Sequence, residues 1–308
     1  MSGRIRAGRL APVLALLLAW TAHAAMDIDA FWEYSDPAAS EARFRAALPQ
    51  ATPDERLELL TQIARTYSLR RQFDAAHRTL DDVERQLDGA AAAPRARYLL
   101  ERGRTFNSAG DRPSAIALFE QAWQTADSAG LEGLAVDAAH MLAIVESPQA
   151  AEAWSLRGLE RARGSNDAKA RAMVPALLNN HAWNLHDAGR HEAALQFFRE
   201  AEVAWRATGQ QPQGRIATWS VARALRSLGR YREALELQQR LEQEWSAAGD
   251  ADGYVFEEIA ENLEALGRRS EATAYFRRAA DELGKDAAFA RDEPARWQRI
   301  TSLAARAQ

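Results

Sequence analysis

The densest cluster of side chains able to move protons or bind a metal is HAWNLHDAGRH, which carries His181, His186 and His191. Imidazole titrates near neutral pH and is a common metal ligand, so catalysis would be sought here first. The spacing argues against it. Ligands on one helical face sit three or four residues apart, whereas these histidines are five apart and Gly189 falls between the last two. His191-Glu192 opens the H-E of a zinc-protease helix, but Leu195 stands where the second histidine must be. The histidines read as structural or groove-lining. A metal-dependent enzyme on a helical frame is the alternative, which metal content and a His186→Ala variant would separate from a binding protein.

Other chemistries lack their motifs. No G-x-x-x-x-G-K-[ST], G-x-G-x-x-G or G-x-S-x-G occurs, so phosphate cradles, dinucleotide sites and nucleophile elbows have no support. Cysteine is absent, which removes disulfides, thiolate nucleophiles, Cys-based metal sites and a lipid-bearing Cys. Carboxylates are plentiful but fall mainly on polar helix faces, and no acid and base pair stands out. No catalytic residue, metal or cofactor is expected.

The elements that position these residues repeat along the chain. LLNNHAWNLHDAGRHEAALQFFREA (177–201) recurs as WSVARALRSLGRYREALELQQRL (219–241) and EEIAENLEALGRRSEATAYFRRA (257–279). Weaker copies are LLERGRTFNSAGDRPSAIALFEQA (99–122) and LLTQIARTYSLRRQFDAAHRTL (59–80). Gly110, Gly189, Gly229 and Gly267 break each copy into two helices. In the second helix of one copy Ala194, Phe198, Ala201 and Trp205 form one helical stripe, which must be buried. Ala272, Phe276 and Ala279 repeat that stripe.

A degenerate pair between residues 122 and 178 reads as two helices broken at Ser147-Pro148, with Ser147 as N-cap. Thr52-Pro53-Asp54-Glu55 is a second helix start, with Glu55 completing a capping box. Asp36-Pro37 opens a helix ahead of the repeats, and residues 292–305, including Trp297, form a last one. The expected fold is all-α, with about six helix pairs between capping helices and no strands.

The 308 residues are 47% apolar and 27% charged, enough to bury a core throughout. A net charge of -4 and a pI near 6.0 argue against a nucleic-acid or anionic-membrane surface. Lysine occurs only at Lys169 and Lys285, and the excess of Arg and Ala reads as a G+C-rich genome. At the start, Arg4, Arg6 and Arg9 precede an apolar run (10–20) and then Ala22-His23-Ala24, the layout of a cleavable secretion signal over residues 1–24. The run falls short of the roughly 20 residues a membrane helix needs. Its loss leaves 36 bases against 43 acids. Export to the periplasm is therefore expected, with no membrane partner afterwards. Translation from Met26 would instead give a cytoplasmic protein, a regulator or sensor acting by contact.

The small residues and aromatics of these copies, A-x-x-x-F-x-x-A above all, resemble the tetratricopeptide repeat over roughly residues 52–285. Gly189 to Gly229 spans 40 residues and Gly229 to Gly267 spans 38, longer than the standard 34, with the excess falling between repeats in stretches such as RATGQQPQGRIA and SAAGDADGY and read as longer helices or linkers within the same architecture. The resemblance implies a right-handed α-solenoid. It divides the mature chain into a capping segment (25–51), the repeats (52–290) and a C-terminal cap (291–308). It also implies a non-enzymatic scaffold whose concave groove, lined by the first helix of each pair, holds a protein or peptide.

Carried over copy by copy, that face gives Arg65, then Arg97, Glu101, Arg104 and Asn107, then Asn179, Asn180, Trp183, His186 and Asp187. Trp219, Arg223 and Arg226 follow, and then Glu257, Glu258 and Glu261. Asn can bond both polar groups of a peptide unit, Trp supplies contact area and Arg pairs with carboxylates. The bland readings are local hydrogen bonding for Asn180, a core position for Trp183 and a solvated face for the three glutamates.

Overall fold

A computed structural model describes residues 26–286 and 288–306, so the proposed signal at 1–24 lies outside the described residues. Every regular element among them is helical. A 3-10 turn (Ile28–Phe31) and α1 (Pro37–Ala47) precede the first pair, α2 (Pro53–Leu69) and α3 (Phe73–Glu84). Then come α4 (Ala92–Ala109) with α5 (Arg112–Ser128), and α6 (Glu132–Val145) with α7 (Pro148–Gly164). A short α8 (Ala168–Ala172) leads into α9 (Val174–Asp187) with α10 (His191–Ala207), then α11 (Gln211–Ser227) with α12 (Tyr231–Ala247). The last pair is α13 (Gly253–Ala265) with α14 (Arg269–Leu283), followed by α15 (Phe289–Asp292) and α16 (Pro294–Ala304).

Local chemistry sets the boundaries. Thr52 and Glu55 make the reciprocal capping box that starts α2, with the Thr52 N–H donating to Glu55 Oε2 at 2.9 Å. Asp36 caps α1 by accepting from the Ala39 N–H. Gly110, Gly189, Gly229 and Gly267 all take left-handed φ, from 74° to 93°, and in each the next residue's N–H turns back to a carbonyl five residues earlier. The first pair makes the same turn without glycine: Arg71 sits at φ 59° and the Gln72 N–H reaches the Tyr67 carbonyl.

The core repeats with the sequence. Ala115, Phe119 and Ala122 in α5, Ala194, Phe198 and Ala201 in α10, and Ala272, Phe276 and Ala279 in α14 are completely buried. Phe119 lies so close over Gly103 that a Cβ there would meet its ring at 2.6 Å, which is why α4 carries glycine in mid-helix. In α12 the aromatic position is held by Gln238, fully buried, with neither amide atom hydrogen-bonded.

Three expectations need correcting. Ser147 precedes α7 but its side chain makes no capping bond. The degenerate pair contains a third helix, α8, set by Asp167, which accepts from the Lys169 and Gly133 N–H groups at 2.8 and 3.0 Å. The final helix does not run from 292: Pro294 disfavours helical geometry at Glu293, which sits at φ -125°, ψ 58° and separates α15 from α16. Of the two sources expected for the long period, longer helices are the one found: α10, α11 and α12 each run 17 residues and are joined by short turns, and most of the stretch RATGQQPQGRIA is helical.

Candidate functional site

The first helices of the pairs, α2, α4, α6, α9, α11 and α13, present a polar ladder. Arg65 Nη1 donates to Glu101 Oε1 at 3.3 Å, and Arg104 Nη1 to the same oxygen at 2.7 Å. Arg104 also pairs with Asp137. One turn further along α6, His140 Nε2 lies 2.7 Å from Asn180 Nδ2 on α9. The charges tune one another. Burial alone would raise the Asp137 carboxyl, but the Arg104 guanidinium overrides it and holds the group below the usual carboxylate range. Burial pushes the His140 imidazole down, reinforced by Arg104 and Arg65.

Of the predicted residues, Trp183, His186, Trp219 and Arg223 come together. The Trp183 and Trp219 rings are 6.1 Å apart, and His186 packs edge-on against Trp183 at 5.1 Å. His186 Nε2 lies 2.9 Å from Ser227 Oγ, which also accepts from Arg223. Trp183 is half-buried and rests edge-on against Phe198, so it serves the core and the surface at once. Trp219 Nε1 donates to the Tyr254 carbonyl at 3.3 Å. Asn179 leaves Oδ1 buried without a hydrogen bond. Arg104 and Asn107 lie two pairs away on α4 and do not join this cluster. The third histidine, His181, faces Phe197 with ring centroids 4.4 Å apart, while His186 and His191 approach to 4.7 Å. Among the described residues no group of three or more His, Cys, Asp or Glu could hold a metal ion.

The glutamates of α13 are not a solvated face. Arg226 donates to Glu258 through Nε and Nη2 at 2.7 and 2.9 Å, and Arg223 Nε lies 3.5 Å from the same carboxylate, whose side chain is only 3% exposed. Glu257 is buried against Arg296, and Glu261 pairs with Arg299. Arg223 and Arg226 therefore share one buried carboxylate, which balances only one of their two charges. The reason is tertiary: α13 packs beside α11, and α16, seated on α14, reaches α13 through Arg296 and Arg299.

A further concavity lies toward the N-terminus. An open cavity of about 720 Å³ is lined by α2, α4, α6, α8 and the segment 27–34. Trp32 and Tyr34 stack at 4.8 Å with parallel rings, Arg65 lies over both, and Trp32 Nε1 donates to Gln62 at 2.9 Å. Arg97 binds Asp29 through two nitrogens at 3.1 and 3.3 Å. Lys169 on α8 closes the ring by reaching Asp27 at 2.9 Å and Asp29 at 2.6 Å. Trp32, Tyr34, Asp29, Asp137, His140 and Lys169 went unseen in the sequence. One signal was available: Asp137 and His140 are the only polar side chains after the first residue of α6, three apart on one face.

No protein-family profile matches the chain, and no curated protein matches it by sequence. Solved structures do match. The apo form of RapI is similar with 12% identity and a TM-score of 0.65, over 80% of this chain and 71% of that one. The quorum sensor NprR from B. thuringiensis, in its apo form, is 14% identical with a TM-score of 0.59, over 86% and 74%. NprR in complex with its cognate peptide NprX matches with 14% identity and a TM-score of 0.52, over 91% and 88%. A STAND ATPase with a tetratricopeptide repeat sensor from Pyrococcus horikoshii is 12% identical with a TM-score of 0.60, over 81% of this chain and 41% of that one. At such identities the likeness concerns the fold, and with the helix pairs, their left-handed glycine turns and the buried Ala-Phe-Ala stripes it makes this chain a tetratricopeptide-type α-solenoid.

Proposed function

We propose that the chain is a non-enzymatic scaffold that holds a peptide along its concave face. The observation that carries this is the cavity of about 720 Å³ bounded by three successive inner helices, connected through His140 and Asn180 to the Trp183 and Trp219 surface. Polar groups on the inner helices are fixed by neighbours, so a ligand meets a preformed surface and ordering costs are low. NprR, of the same fold, is known with its cognate peptide NprX, which supports a peptide over a small metabolite.

Two experiments test the reading. Affinity capture from the native cell should return a partner whose binding falls roughly thirtyfold in Trp183→Ala, the loss of about 2 kcal/mol that a central aromatic anchor gives. The variant must keep wild-type helicity and melting, because Trp183 also packs on Phe198. Unchanged capture by folded Trp183→Ala would remove the fourth and fifth repeats from the site. Export belongs to the same proposal: a mature N-terminus following Ala24 is expected, and an N-terminus at Met1 or Met26 would refute it.

A further inference from the structure

Four arginines meet the three glutamates of α13, and one of the four is left over. Arg226 takes both oxygens of Glu258, at 2.7 and 2.9 Å. Glu257 is held by Arg296 at 2.6 Å and Glu261 by Arg299 at 2.8 Å, while the exposed Glu293 joins the group only through Arg296. Arg223 comes last. Its Nε stands 3.5 Å from Glu258, too far for a good hydrogen bond, and among the described residues its one hydrogen bond goes to the uncharged Ser227 Oγ. Asp187 on α9 keeps its carboxylate 78% exposed and lies against His186 instead. The Arg223 cation is ill-placed as a result. Burial disfavours it, Arg226 repels it and Glu258 compensates only in part, so its pKa falls below the ordinary arginine value while those of Arg226 and Arg296 rise. Arginine does not shed its proton at neutral pH, so the imbalance remains. Folding has already met part of the cost of desolvating this cation, and what it lacks is an anion.

The same side chain stands where a bound segment would meet it. Arg223 lies six residues before Gly229 as Trp183 lies six before Gly189, so α11 and α9 present the two at equivalent positions of consecutive repeats. Trp219, one turn earlier on α11, has its ring 6.1 Å from that of Trp183. Burial lowers the His186 pKa, so this neighbour is neutral at pH 7 and offers an anion no competing charge. One unbalanced positive charge calls for one negative charge. A carboxylate supplies it with a planar pair of oxygens that a guanidinium matches, whereas a phosphate monoester is close to doubly charged and would leave an excess beside Glu257 and Glu258. The inner face continues past Arg223 through α9 on one side and α13 on the other, which suits a carboxylate within a segment better than one at a chain end.

We propose that Arg223 seats an aspartate or glutamate side chain of the bound segment, whose apolar neighbours lie on Trp183 and Trp219. This rests on the peptide-groove reading above and adds the partner's chemistry to it: an acidic residue inside an apolar run.

The test titrates the full chain with the N-acetylated, C-amidated pentapeptide Ala-Leu-Glu-Leu-Ala and reads binding by saturation-transfer NMR. Three companions replace the Glu by Gln, replace it by phosphoserine, or carry Gln with the C-terminal carboxylate left free. The Glu peptide should bind roughly tenfold more tightly than each of the others, the margin of one hydrogen-bonded charge. Arg223→Gln, which keeps an amide donor for Ser227, should abolish that preference. It should also melt no lower than the wild type, because it removes an unbalanced charge, whereas Arg226→Gln should melt lower. Equal affinity for the Glu and Gln forms, a preference that survives in Arg223→Gln, or a lower melting point for Arg223→Gln would overturn the seat. So would tighter binding of the phosphoserine or free-terminus peptide, or no binding of any peptide. Cellular capture that still falls in Trp183→Ala would then leave the scaffold reading standing without this seat, and that reading fails if capture returns no partner.

Discussion

Glu258 offers the sharpest test of how the concave face is built. Read as sequence it belongs to a solvated acidic run, and its loss should cost almost nothing. In the structure its carboxylate is buried, with two hydrogen bonds from Arg226 and Arg223 Nε at 3.5 Å. Removing one partner of a fully buried pair costs about 3–5 kcal/mol, while an exposed pair is worth about 0–1 kcal/mol. The two arginine side chains are 27% and 23% exposed, so after Glu258→Ala they can partly rehydrate. The expected loss is thus discounted to about 2–3 kcal/mol. Glu261→Ala should cost under about 1 kcal/mol, because its partner Arg299 is more than half exposed. Urea unfolding followed by circular dichroism measures both, with the slope checked for constancy. A Glu258→Ala, Arg226→Ala double variant should be less destabilised than the sum of the singles, giving a coupling of about 1–2 kcal/mol. Equal, small effects for Glu258 and Glu261 would refute the argument and return both to the solvated face. Near-zero coupling would show that Arg226 is not the partner that matters.

Three further outcomes follow from the same geometry. Gln238→Met should stabilise the chain by about 1–3 kcal/mol, since a buried amide with no hydrogen bond is replaced by an apolar side chain of similar shape; a loss of stability would mean the amide is satisfied. Arg71→Gly should raise the unfolding free energy by about 0.5–1 kcal/mol, read as a higher urea midpoint, because relief of a left-handed φ of 59° exceeds the entropy glycine adds to the unfolded chain, and a lowered midpoint would refute that balance. Burial lowers the imidazole pKa of His140, His181 and His186 from the usual 6.5, so the unfolded chain binds protons first and stability should fall as pH drops below about 6.5. Glu58 and Glu257, whose carboxyls burial raises, act in the opposite sense, so the histidine part is isolated by comparison with His140→Gln, which should show a shallower fall between pH 7.5 and 5.5. An identical pH profile for His140→Gln would contradict the assignment.

What the sequence determined by itself is what depends on neighbours in the chain. The helix pairs follow from apolar periodicity, the turns from glycines that alone take left-handed φ cheaply, the start of α2 from its capping box, and the core from Ala-Phe-Ala stripes that have to be buried. Position within a repeat also grouped residues of the first helices onto one side, without telling which of them a neighbour would cover. Which of those side chains remain free was decided only by the tertiary structure. Arg226 meets Glu258 across 32 residues, Arg296 meets Glu257 across 39, and Lys169 meets Asp27 across 142. No local pattern encodes such separations. They depend on how the repeats stack and curve, because a charge on the inner face stays solvated or becomes neutralised according to what the next helix brings beside it. The same stacking sets the segment 27–34 beside α2, α4 and α6, where it lines a cavity that periodicity could not foretell.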